Sequence, residues 1–124
     1  VLKILTKAIG VSVCLGLSAC ASLSVDKPSM AFSSKCIGSS DLTHREPRVS
    51  SQWDDATFQV VVIHPEICNA RIVHPAFQID GENLSVSYES KISNVVMKCY
   101  CDIQSTFAFT RLPKADYRVR FEPR

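Results

Sequence analysis

The polar and apolar positions of the second half of the chain repeat with a period of two. Phe58, Val60 and Val62 alternate with Gln59, Val61 and Ile63. The run is β-branched and apolar on both faces, which predicts a central strand ended by His64-Pro65. Arg71–Val73 and Ala76–Ile79 predict a second strand region, and His74-Pro75 places an edge or a bulge within it, because proline cannot donate to a ladder. Asp80-Gly81-Glu82-Asn83 is a turn signal. Leu84, Val86 and Tyr88 follow in strict alternation with Ser85, Ser87 and Glu89, so this pair of strands reads as a hairpin. Further strands are predicted over Val95–Ile103, over Phe107–Arg111, and over Tyr117–Phe121 after a turn at Pro113–Asp116. No stretch after Ala21 sustains a 3.6-residue period. Five or six short strands with regular turns predict an all-β fold, a small sandwich or barrel.

The first twenty residues follow another rule. Lys3 and Lys7 form a basic head without an acid, and Ala8–Ala19 is uncharged, with small and apolar side chains. That is the pattern of a secretory signal peptide over residues 1–19, read as a signal helix. A membrane span needs roughly 20 apolar residues and this run is shorter; it also lacks the polar face of an amphipathic core helix. The run ends in Leu17-Ser18-Ala19-Cys20, which resembles the lipobox of bacterial lipoproteins. The resemblance implies cleavage before Cys20, a diacylglycerol thioether on its sulfur, and acylation (palmitate or a similar chain) of the new N-terminus. Burying acyl chains contributes about 0.8 kcal/mol per CH₂, and several chains anchor a protein stably. Ala21 stands where inner-membrane enterobacterial lipoproteins carry Asp, so the resemblance further implies the outer membrane, with the domain in the periplasm. Cys14 lies within the signal and is given no role.

Residues 20–35 are rich in serine and read as the lipid anchor and a flexible tether. Residues 36–55 are loop-like in composition, and Cys36 and Trp53 are expected to pin them to the domain, which spans residues 36–124. Composition adds a constraint. The chain has 14 Lys+Arg and 12 Asp+Glu, and removal of Lys3 and Lys7 leaves the cargo neutral, without the basic footprint of a nucleic-acid binder. The base-rich run Arg111–Arg124 reads as a solvated strand face. Within it, Leu112-Pro113-Lys114-Ala115-Asp116-Tyr117-Arg118-Val119-Arg120-Phe121 resembles the closing hairpin of immunoglobulin-like and transthyretin-like sandwiches, which implies that architecture.

The chemistry of the cargo lies in Cys36, Cys68, Cys99 and Cys101. In an oxidising compartment four cysteines read as two disulfides. Cys99 and Cys101 are two apart in a predicted strand, hence roughly 6–7 Å apart on one face, and a disulfide needs Cβ atoms roughly 3.5–4.5 Å apart. Each is therefore expected to take one of Cys36 and Cys68, with the assignment open. The pleat of Val95–Ile103 places Met97, Cys99, Cys101 and Ile103 toward the core, since Lys98 and Asp102 are costly to bury, so both bridges are expected inside. The alternative is a soft-metal site: His64, Cys68, His74, Cys99 and Cys101 offer thiolates and imidazoles suited to copper, without the spacing of paired C-x-x-C motifs. Otherwise His64 and His74, each before a proline, read as exposed turn residues, and His44 as a loop residue. Ser85, Ser87, Asp80, His64 and His74 could be drawn as a nucleophile and base, but no nucleophile elbow, paired-carboxylate signature or phosphate-cradling loop accompanies them. The expectation is a non-enzymatic, lipid-anchored protein-binding or structural module of the cell envelope, an inhibitor in its narrower version, with an envelope protein as partner and no cofactor; periplasmic copper handling is the alternative.

Overall fold

A computed structural model describes residues 27–43, 45–95 and 98–124 of the chain. The expected signal helix, Cys20 and the first part of the expected tether lie outside the described residues, as does His44. The described chain is all-β, with seven strands: β1 (Ser29–Ser39), β2 (Arg48–Asp54), β3 (Thr57–Ile67), β4 (Arg71–Asp80), β5 (Asn83–Lys91), β6 (Tyr100–Thr110) and β7 (Arg118–Phe121). They form a four-stranded sheet in the order β1-β6-β3-β2 and a three-stranded sheet in the order β4-β5-β7. All neighbours are antiparallel except β5 and β7, which run parallel.

The inner faces follow the alternation in the sequence. Phe58, Val60 and Val62 on β3 stand opposite Phe109, Phe107 and Ser105 on β6, and all six are buried. Leu84, Val86 and Tyr88 supply the buried face of β5. Aromatic contacts join the two sheets: Phe77 meets Phe109 edge-on at 5.0 Å, and Phe32 lies 6.4 Å from Tyr88. Burying large aromatic rings is the main apolar contribution in a domain of this size.

Several elements are longer than their sequence suggested. β3 continues through His64-Pro65 to Ile67, where termination was expected. β2 pairs only as far as Ile63, so from His64 onward one side of β3 is a sheet edge, where a residue lacking an N–H is tolerated. The two strands expected at Val95–Ile103 and Phe107–Arg111 are one strand, Tyr100–Thr110. Gln104-Ser105-Thr106 interrupts the apolar pattern but not the pleat: Ser105 points inward, fully buried, while Gln104 and Thr106 face outward. Val95, Lys98 and Cys99 precede the strand, and Met97, expected on the core face, lies outside the described residues.

The serine-rich stretch read as tether up to Lys35 is instead β1 from Ser29 onward, because Met30 and Phe32 alternate with Ser29, Ala31 and Ser33 and pack on the core. Arg48–Asp54, expected as loop, is an edge strand held by the inward ring of Trp53 against Phe58 at 5.0 Å. The predicted hairpin is present, with Asp80 opposite Asn83 and Gly81 at φ 63°, where a two-residue hairpin turn calls for glycine. The bulge falls between Val73 and Ala76, on an edge strand, as Pro75 requires.

Leu112–Phe121 does not close a hairpin. β6 and β7 belong to different sheets, so Leu112–Asp116 crosses from one to the other. Trp53 Nε1 donates to the Ala115 carbonyl at 3.0 Å and fastens that crossing.

Disulfides join Cys36 to Cys101 and Cys68 to Cys99, with Cα atoms 5.8 and 5.5 Å apart. Only Cys101 is fully buried; Cys99 is half-buried, and Cys36 and Cys68 are exposed. The bridges are therefore less enclosed than expected, because Cys36 follows the last inward contact of an edge strand and Cys68 sits in a turn. Replacing both members of either bridge by alanine should lower unfolding free energy by roughly 2–4 kcal/mol in denaturant titrations. The Cys36–Cys101 loss should be the larger by about 0.6 kcal/mol, since its sequence separation is 65 against 31. Peptide mapping of the oxidised protein checks the pairing itself.

Candidate functional site at the disulfide-stapled end

The two ends of the sandwich are built differently. At one end lie Ser29, where β1 begins opposite Thr110, the β2–β3 turn, and the crossing that starts at buried Leu112. At the other end lie residues 40–43 and 45–47, the Cys68–Ala70 turn, residues 92–95 and 98–99, and both disulfides. Backbone bonds knit these loops together: Ser40 N–H donates to the Tyr100 carbonyl at 2.9 Å and Cys68 N–H to the Cys99 carbonyl at 3.0 Å. The Asn69 amide donates to the Val95 carbonyl at 2.6 Å and to Ser93 Oγ at 2.8 Å. The same end exposes apolar side chains. Ile37, Ile92, Val95 and Tyr100 are 42–70% exposed, and they are four of the five large hydrophobic residues so exposed among the described residues, Val49 being the other.

His64 and Glu66 lie beneath this end, on the inward-facing side of β3. Their spacing of two puts both on one face of the strand, and His64 Nδ1 meets Glu66 Oε1 at 3.2 Å. Ser90 Oγ donates to the other carboxylate oxygen at 3.1 Å. Deeper in, burial pushes the Tyr88 hydroxyl up to about 12, with the charge of Glu66 adding to the rise and nearby Ser105 opposing it. The Tyr88 and Ser105 hydroxyls are buried without a hydrogen-bond partner of standard geometry among the described residues. Glu66 and Ser90 were not singled out in the sequence, although the His-x-Glu spacing in a strand was the available signal. His64 is half-buried in a strand, not an exposed turn residue.

The residues of the copper alternative are not brought together. Cys68, Cys99 and Cys101 are in disulfides, so they present no thiolate. His64 lies in the four-stranded sheet and His74 on an edge of the three-stranded one, each bonded to a glutamate. Among the described residues no group of three or more His, Cys, Asp or Glu converges as metal ligands. The nucleophile and base drawn from the sequence are equally scattered. Ser85 and Ser87 alternate with the buried residues of β5 and so face away from His64, while Ser90 serves Glu66 and not an imidazole.

The chain matches no protein-family model, no curated protein and no solved structure at a significant level.

His74, at φ 53° in the bulge, turns its Nδ1 onto Glu89 Oε2 at 2.7 Å. That hydrogen bond, helped by the charges of His74, Arg124 and Lys91, holds the Glu89 carboxyl below its ordinary 4.5. A carboxyl lowered by folding adds stability that is present above its unfolded pKa and is lost as pH falls through the folded value. Carboxyl-carbon NMR should therefore show Glu89 titrating below an ordinary glutamate, and His74→Ala should return it to the ordinary range.

Proposed function

We propose that this protein is a lipid-anchored lipoprotein of the cell envelope that acts as a non-enzymatic protein-binding module through its disulfide-stapled end. The observation that carries the reading is the gathering of exposed Ile37, Ile92, Val95 and Tyr100 at that end. Large apolar side chains exposed together mark interaction surfaces more often than chance exposure does. Ile37 adjoins the bridged Cys36 and Tyr100 lies between the bridged Cys99 and Cys101, so the backbone that bears them is cross-linked and less conformational entropy is lost on contact. The direction of the chain supports the same reading. A tether joining Ser29 to a lipid on Cys20 attaches at the opposite end, so the stapled end is the one farther from the point of attachment. Two disulfides suit an oxidising compartment. The lipobox-like Leu17-Ser18-Ala19-Cys20 and the following Ala21 favour attachment to the outer membrane, facing the periplasm.

Two measurements test the parts separately. Cys20→Ser should move the protein from the membrane fraction to the soluble fraction, or leave it uncleaved; persistence on salt-washed membranes means another attachment. A photo-activated cross-linker at Ile37, Ile92 or Val95 in the anchored protein should give a discrete protein adduct in cells, and one at Ala56 or Lys114 should not. Equal adducts from both ends, or none from the stapled end, rule out that end as the contact surface.

A further inference from the structure

Resting on that reading, we infer that the hollow between Leu42, Arg45 and the end of β3 receives a partner's apolar side chain together with an adjacent carboxylate. The hollow has a volume of about 240 Å³ and is lined by Leu42, Arg45, His64, Pro65 and Tyr100. Pockets for drug-sized molecules begin at about 300 Å³, so this one has room for a single large side chain. Three of its five walls are apolar: the isobutyl group of Leu42, the Pro65 ring and the Tyr100 ring.

The loop that forms one wall is held in a conformation its residues do not favour. Leu42 sits at φ 61°, in the left-handed region, which a bulky residue rarely adopts and which persists only where neighbours impose it. The neighbours are identifiable. Leu42 N–H donates to Ser40 Oγ at 3.2 Å, and the Thr43 N–H and hydroxyl both donate to Asp41 Oδ1, at 3.0 and 2.6 Å. Ser40 is itself tied to Tyr100 through its backbone. The result is a hydrogen-bonded link from the Tyr100 carbonyl through Ser40 to the Leu42 backbone, which relates these two apolar walls before any partner arrives.

The charge of the hollow sets the second half of the ligand. Glu66 is engaged by His64 and Ser90, and Asp102 lies 3.8 Å from Arg48. Arg45 lines the hollow with no ion-pair partner among the described residues. A guanidinium at the rim of an apolar hollow is complementary to a carboxylate, which it can engage with two parallel hydrogen bonds. His64 has Nδ1 occupied by Glu66, so Nε2 is its remaining polar atom for a ligand. An apolar side chain flanked by an acid, or a C-terminal residue with its own carboxylate, satisfies both halves.

The test uses isotope-labelled full-length protein in detergent micelles, titrated with N-acetyl-phenylalanine and, separately, with N-acetyl-phenylalaninamide. The carboxylate probe should shift the amide resonances of Leu42, Arg45 and Tyr100 saturably, and the amide probe should bind about tenfold more weakly, the scale of one charge-assisted contact. Arg45→Gln should bring the carboxylate probe down to the affinity of the amide and leave the amide unchanged. Leu42→Ser should weaken both probes while the resonances of the β3 and β6 core stay in place, which separates loss of the hollow from loss of the fold. Equal affinity for the two probes, shifts centred elsewhere, or no saturable shift up to the solubility limit overturns the inference. If cross-linking at Ile37 and Val95 still captures a partner after such a result, the stapled end remains the contact surface and only the hollow is excluded.

Discussion

The burial of one face of β6 governs the rest of the molecule. That strand pairs with β1 on one side and β3 on the other, and its inward residues run from Cys101 through Ile103, Ser105 and Phe107 to Phe109, all buried. A pleat has only two faces, so choosing this one for the core fixes the register of both neighbours. The same choice sends Cys101 inward to meet Cys36 and leaves Cys99, just before the strand, to meet Cys68. Phe107 and Phe109 then form the floor on which Phe32 and Phe77 rest. The stapled end is thus a continuation of the core pattern and not a separate ornament.

That continuity explains why the end can be both apolar on its surface and ordered. Loops normally expose few large hydrophobic groups, because an unanchored loop would use them to collapse inward. Here Cys68 is bridged to Cys99 and donates its N–H to the Cys99 carbonyl, the Asn69 amide holds the Val95 carbonyl, and Ser40 N–H holds the Tyr100 carbonyl, so Val95 and Tyr100 sit on backbone that is tied down. The His64–Glu66–Ser90 chain beneath them keeps a carboxylate satisfied in a half-buried place, where a bare charge would be costly.

The sequence made the fold class readable because β5 alternates without ambiguity and β3 is a β-branched apolar run between turn signals, and it made the cysteine partition readable because Cys99 and Cys101, two apart in an extended run, cannot bond each other. It hid what depends on long-range pairing. β1 and β2 are edge strands whose serines look like linker, and only Met30, Phe32 and Trp53 betray an inward face. Gln104-Ser105-Thr106 looks like a gap between two strands because nothing local says that a buried hydroxyl will sit near Tyr88. The parallel docking of β7 on β5 is invisible for the same reason: Tyr117–Phe121 shows that a strand exists, not which sheet receives it. The hollow depends on Leu42 at positive φ beside Tyr100, two residues that no local motif connects.

The nesting of the two bridges bears on how such a chain is made. Cys68–Cys99 lies wholly within the span of Cys36–Cys101. A chain delivered N-terminus first into an oxidising space exposes Cys36 and Cys68 before either native partner has arrived. The bond that sequential oxidation forms first is therefore Cys36–Cys68, a pairing absent from the finished protein, and it occupies one cysteine from each native bridge. Reaching the nested arrangement then takes thiolate attack by Cys99 or Cys101 on that early bond, at rates set by exchange chemistry and not by chain diffusion. A chain oxidised in that order would need disulfide isomerisation as well as oxidation to reach this connectivity.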